Sequence, residues 1–148
     1  MKTSILSIIV FLLLQMTSAN EHKFDKLKLN LFDESTNSRC LDGTKYGVYF
    51  SAGKDEGASN ILINFWGGGL CEGYNKEEFF ASCLDRIHGE LGSSNSWKKE
   101  KYESGFLSRQ KGENPNFNNW NLFDFPYCDG SFHRGHLENP VNFKGVDF

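Results

Sequence analysis

Four cysteines, Cys40, Cys71, Cys83 and Cys128, stand downstream of an apolar leader. That pairing constrains the fold more than any other feature. Lys2 supplies a short positive region, Ile5 to Leu14 is apolar apart from Ser7, and Thr17 and Ala19 occupy the −3 and −1 positions of a cleavage site. This is the layout of a secretory signal peptide over residues 1–19. The apolar run is shorter than the roughly 20 residues a spanning helix needs. An even cysteine count in an exported chain reads as two disulfides. Four cysteines allow three pairings, and sequence alone does not choose. The short spacing favours Cys71–Cys83, which leaves Cys40–Cys128 to close a long loop. A metal site is the rival reading, with His133 and His136 as H-x-x-H near Cys128. No C-x-x-C accompanies them, so no metal ligand set is assigned.

Once the leader is removed, one domain is expected. Hydrophobic residues make up 39% and aromatics 15%, which suits a packed core rather than disorder. The formal net charge of −3 gives no footprint for nucleic acid or for an acidic membrane surface.

Periodicity predicts strands at Lys26–Leu31, Tyr46–Ser51, Ile61–Phe65 and within Trp120–Tyr127. Ile61–Phe65 is a short apolar run of the kind expected in a buried, parallel strand. Pro126 argues against a central position at the end of the last strand. Asn75 followed by Glu78 resembles a capping box and predicts a helix from about Lys76 to Ile87, stopping at Gly89. Residues 92–101 are polar and are expected to loop over the surface. Asp124 is expected on the solvent face of its strand.

The most informative stretch is Phe65-Trp66-Gly67-Gly68-Gly69-Leu70-Cys71. Three glycines directly follow an apolar strand and precede a helix. Lacking Cβ, they let backbone N–H groups converge into a nest that holds an anion. In ester hydrolysis the anion is the oxygen of the tetrahedral intermediate. Phosphate binding is disfavoured, because neither the Walker spacing nor G-x-G-x-x-G is present.

The glycines sit within an ordered series. Cys40-Leu41-Asp42-Gly43-Thr44 and Gly47-Val48-Tyr49-Phe50 precede them. Cys71, Cys83, Leu91-Gly92-Ser93-Ser94 and Gly105-Phe106-Leu107-Ser108 follow. Asn114-Pro115, Asn119-Trp120-Asn121 and Tyr127-Cys128-Asp129-Gly130-Ser131-Phe132 complete it. This series resembles the pectin acetylesterase / Notum family of secreted carboxylesterases, over about Leu31 to Phe148. The resemblance implies an α/β-hydrolase fold, here as an N-terminal portion (residues 20–148) with an incomplete, disulfide-stapled sheet. It implies a Ser-His-Asp triad, Gly68 and Gly69 as oxyanion-hole donors, and the pairing Cys40–Cys128 and Cys71–Cys83. It implies no cofactor. It implies an acyl ester substrate, either acetylated polysaccharide or acylated protein. Trp66 stands where the family usually has an acidic residue, and Gly69-Leu70 where it usually has Trp. Substrate preference is therefore not carried over.

The triad is not in its expected places. The family's nucleophile sits on a Gly-x-Ser-x-Gly elbow, and no serine here has that spacing: Ser94 has Gly92 before it but Ser96 after it. Serine, acid and histidine are expected beyond Phe148. A local triad of Ser131, His133 and Asp129 is disfavoured, because triads are built from separated segments. The chain alone is then expected to be inactive. An incomplete sheet would also leave Ile61–Phe65 with an unpaired side. The competing reading is a non-enzymatic, disulfide-stapled binding module that presents Trp97, Trp120, Phe125 and Tyr127 to carbohydrate or protein.

Overall fold

A computed structural model describes residues 25–135 and 139–148. The leader and His136 lie outside the described residues, so the signal peptide and the H-x-x-H pair are not visible here.

The main element is a five-stranded mixed sheet. Its strands are β1 (Leu27–Leu31), β2 (Gly47–Ser51), β3 (Ile61–Phe65), β4 (Glu100–Lys101) and β5 (Asn121–Phe125). Their order across the sheet is β3-β5-β2-β1-β4. β3 and β5 run parallel, with Ile61 opposite Asn121 and Phe65 opposite Phe125. All other pairings are antiparallel. Parallel neighbours need a long crossover, and the chain between β3 and β5 carries the one α-helix among the described residues, α1 (Lys76–Leu84). Two further strands, β6 (Asn142–Phe143) and β7 (Val146–Asp147), form a separate hairpin.

The core cluster is Leu27, Tyr49, Leu107 and Leu122, flanked by Leu29, Leu62 and Trp97. Alternation along β1 points Leu27 and Leu29 inward and leaves Lys28 and Asn30 outside. Tyr49 buries its ring and satisfies its hydroxyl on the Lys98 carbonyl at 2.8 Å. At the base of β2, a Cβ on Gly47 would sit 2.5 Å from the Asn30 carbonyl, so β1 and β2 pair closely only with glycine there.

Both disulfides are formed. Cys40–Cys128 joins the turn before β2 to the segment after β5, 88 residues apart. Cys71–Cys83 joins the end of the glycine stretch to α1, 12 residues apart.

Five expectations need correction. β5 is central, between β3 and β2: Pro126 falls just past its last paired residue, where a missing N–H costs no ladder bond. β3 is parallel to β5 and has the unpaired side an incomplete sheet implies, but it is not buried: Ile61, Ile63 and Phe65 are each more than half exposed. Asp124 is fully buried, because Leu122 and Asp124 take the core face of β5 and leave Phe123 and Phe125 half-buried on the other. Residues 92–101 are not simply a surface loop, since Ser93 and Ser94 are buried and Glu100–Lys101 pair with β1. The Ser94 N–H reaches Thr44 Oγ1 at 3.0 Å, and the Gly92 carbonyl accepts from the Asp42 N–H. Finally, α1 ends at Leu84, three residues early. Arg86 and Ile87 turn back on the Cys83 and Leu84 carbonyls and tighten the last turn. At the other end the capping box is present: Asn75 Oδ1 accepts the Glu78 N–H, and Asn75 Nδ2 donates to Glu78 Oε1.

Candidate functional site

β3 ends at Phe65, and its direction is continued for one residue by the Trp66 N–H donating to the Phe125 carbonyl. The chain then leaves the sheet through Gly67, Gly68 and Gly69. Gly69 has φ +78°, the left-handed region where a side chain is strained. A Cβ on Gly68 would lie 2.1 Å from the Tyr127 ring, so the loop lies directly on that tyrosine.

Side chains from three other segments hold the loop carbonyls. Arg86 spans two of them, Nη1 donating to Gly68 O and Nη2 to Leu70 O, each at 2.7 Å. The Tyr127 hydroxyl donates to Gly69 O. His133 meets Trp66 O through Nε2 at 2.8 Å. A carbonyl only accepts, so that nitrogen carries the proton. The exit is fixed by the Cys71 N–H on Gly130 O, by the Cys71–Cys83 disulfide and by Ser82 Oγ accepting the Glu72 N–H.

The N–H groups are in the opposite condition. No acceptor among the described residues is bonded to the N–H of Gly67, Gly68, Gly69 or Leu70. A loop whose carbonyls are occupied and whose N–H groups are open has the polarity of an anion nest. Beside Gly67 lies a cavity of about 340 Å³, with Tyr49, Trp66, Trp97, Lys101, Glu103 and Tyr127 in its wall. Lys101 sits over the Tyr49 ring at 4.2 Å and the Trp66 ring at 5.2 Å. Its ammonium bonds Glu103 at 2.7 Å and the buried Asp124 at 2.6 Å. Burial pulls the Lys101 pKa down, but those two carboxylates outweigh it and leave it raised. Asn64 Nδ2 completes the set by donating to Asp124 Oδ1 at 2.6 Å.

Ser131, His133 and Asp129 lie near one another without forming a triad. Ser131 Oγ donates to Asp129 Oδ2 at 2.5 Å, and the same oxygen accepts the Gly135 N–H. His133 instead faces Trp66 O and, through Nδ1 at 3.3 Å, the Tyr46 hydroxyl. Serine bonded to the acid, with the histidine engaged elsewhere, has no proton relay. Burial, aided by the Asp129 and Asp124 charges, raises the Tyr46 pKa, and its hydroxyl donates to Pro126 O.

The aromatics named for a binding surface are mostly committed. Tyr127 is buried beneath the loop, and Trp97 packs on the core with Nε1 on Glu90 O. Phe125 stacks on Phe65, and Trp120 meets Phe117 edge-on. Arg86 is the functional position that sequence reasoning missed, and Tyr127, expected on a binding surface, instead holds the loop from beneath. A signal for Arg86 was present: it lies three residues after Cys83, and the Cys83 bridge to Cys71 turns that side of the helix end toward the loop.

Comparison with known proteins bears on the family and the fold. Residues 19–148 match the family model Pectinacetylesterase. Pectin acetylesterase 7 of Arabidopsis thaliana is 37% identical over 112 residues, covering 72% of this chain and 27% of the relative. Pectin acetylesterase 11 of the same plant is 35% identical over 99 residues, covering 67% and 24%. The chain thus spans about a quarter of the length of these curated relatives. Among solved structures, the Wnt deacylase Notum from Drosophila superposes with a TM-score of 0.66 at 25% identity, over 82% of this chain and 33% of that one. A second crystal form gives 0.59 at 26% identity, over 71% and 29%.

Proposed function

The chain belongs to the pectinacetylesterase family, within the pectin acetylesterase / Notum group, and from that premise we propose that it carries the oxyanion loop of a carboxylic ester hydrolase. Its sheet is part of an α/β-hydrolase fold. Gly68 and Gly69 are the donors: their N–H groups receive the charge that develops on the carbonyl oxygen when an ester is attacked. The observation that carries this reading is the polarity of the loop, with three successive carbonyls from Gly68 to Leu70 bonded inward and the glycine N–H groups open.

The nucleophile, acid and catalytic histidine are supplied by residues outside this sequence. The absence of a Gly-x-Ser-x-Gly elbow from the 148 residues supports this, as does the Ser131–Asp129 bond that leaves His133 out. The substrate class is an acyl ester. The relatives' names point to acetylated pectin on one side and an acylated Wnt protein on the other, and Trp66 makes this pocket wall its own. Two disulfides and the leader at residues 1–19 support export. No helix among the described residues is long and apolar enough to cross a membrane.

Amide NMR of the ¹⁵N-labelled chain tests the donors. Sodium acetate, balanced with chloride to hold ionic strength, presents a carboxylate in place of the oxyanion. Saturable downfield shifts are expected at the Gly68 and Gly69 amide protons. No response at either glycine overturns the reading.

A further inference from the structure

We propose that Arg86 is the positioning residue of this loop, aiming the Gly69 N–H by holding the carbonyl on the other side of the same peptide. The proposal rests on the reading of Gly68 and Gly69 as oxyanion donors and adds to it the residue that makes one of them a donor.

A trans peptide unit is planar, so its C=O and its N–H point in opposite directions. The Gly68 carbonyl and the Gly69 N–H belong to one unit. Arg86 Nη1 takes that carbonyl at 2.7 Å, and the Gly69 N–H is thereby turned away from the guanidinium. The same logic runs on along the loop. Tyr127 on Gly69 O directs the Leu70 N–H. Arg86 Nη2 on Leu70 O directs the Cys71 N–H, which is found on Gly130 O at 2.9 Å.

Such a clamp matters because glycine populates both signs of φ with little preference. Gly69 at φ +78° sits between the two carbonyls that Arg86 holds. Without an outside bond, the Gly68–Gly69 peptide is free to flip and present its carbonyl to the anion. A guanidinium is suited to this task, since its rigid fork reaches two acceptors, whereas an ammonium is a single point donor. The positive charge on the carbonyl oxygen also polarises the peptide and strengthens its N–H as a donor.

Arg86 is itself held in place. Its N–H bonds the Cys83 carbonyl at 3.0 Å, and Cys83 is bridged to Cys71 at the loop's exit. Gly92 packs against its backbone so closely that a Cβ there would fall 2.4 Å from Arg86 O. Helix end, disulfide and loop therefore form one closed unit.

The acetate titration, repeated on variants of the full 148-residue chain, tests the assignment. Arg86→Gln is expected to lose more than half of the Gly69 amide response while Gly68 keeps most of its own. Arg86→Lys retains the charge and stem and so guards against simple misfolding; a dispersed spectrum with a weakened Gly69 response is expected from it. An undiminished Gly69 response in a folded Arg86→Gln or Arg86→Lys chain overturns the role of Arg86 and leaves the oxyanion reading standing. A wild-type chain with no response at either glycine overturns that reading and this proposal with it.

Discussion

Asp124 and Lys101 form an ion pair at 2.6 Å in which the carboxylate has no exposed surface. The pair joins the central strand β5 to the edge strand β4, and its lysine lines the cavity beside Gly67. A buried charge is tolerated only when it is paired and hydrogen-bonded, and Asn64, Glu103 and the Tyr49 ring complete that environment.

Removing one partner should therefore be worse than removing both. Lys101→Met is expected to cost about 3–5 kcal/mol, because it strands the Asp124 carboxylate. The double variant Lys101→Met, Asp124→Leu should recover the part of that loss due to Asp124, while Glu103 remains without its cation. Urea denaturation of the three proteins measures it; equal stability of the single and double variants would refute the buried-pair description.

The Lys101 pKa is raised in the folded chain, so its contribution is present below the unfolded value near 10.5 and is lost as pH climbs through the higher folded value. Stability should fall more steeply above pH 10.5 in the wild type than in the double variant. Denaturation midpoints between pH 9 and pH 12 record the difference.

Asp129 gives the opposite sign. Burial pushes its pKa up, but the Ser131 hydroxyl and the backbone N–H groups of Ser131, Gly135 and His133 outweigh this and hold it below 3.8. Its contribution is present above that value and is lost as pH falls through the lower folded pKa. Asp129→Asn should be less stable than wild type at pH 6, with the gap closing toward pH 2. A gap that stays constant with pH would contradict the role of the carboxylate.

Within the glycine run, tolerance should differ by one position. Around Gly67 a Cβ meets nothing within 4 Å, whereas at Gly68 it meets the Tyr127 ring. Gly67→Ala is expected within about 0.5 kcal/mol of wild type, and Gly68→Ala is expected to cost about 1–3 kcal/mol through overpacking. Thermal melts of the two variants, side by side, check the order.

The disulfides should be unequal too. In the chain-entropy picture, the 88-residue bridge Cys40–Cys128 contributes roughly 4–5 kcal/mol and the 12-residue bridge Cys71–Cys83 roughly 3 kcal/mol. Paired Cys→Ala substitutions compare them. The shorter bridge carries the greater consequence for anion binding, because it ties Arg86 to the loop.

What the sequence made legible was local. The capping box at Asn75 and Glu78, the strand positions and the glycine run each depend on neighbouring residues, and the structure has them. What it hid was long-range. Asp124 reads as a solvent-facing residue until Lys101 arrives from β4 to neutralise it. Ile61–Phe65 reads as buried because its composition is that of a strand covered on both faces, while the exposure of Ile61, Ile63 and Phe65 depends on what covers the sheet, which periodicity does not reveal. Arg86, and the loop-holding role of Tyr127, were hidden for a similar reason. Their targets are backbone carbonyls, which carry no residue-type signal.

Hydrolysis of p-nitrophenyl acetate by the purified 148-residue chain bears most directly on the assignment of an oxyanion loop without its nucleophile. No saturable turnover above the buffer rate is expected from this chain, nor from its Ser131→Ala variant. Saturable turnover that Ser131→Ala abolishes would place a working nucleophile inside these residues and contradict the assignment.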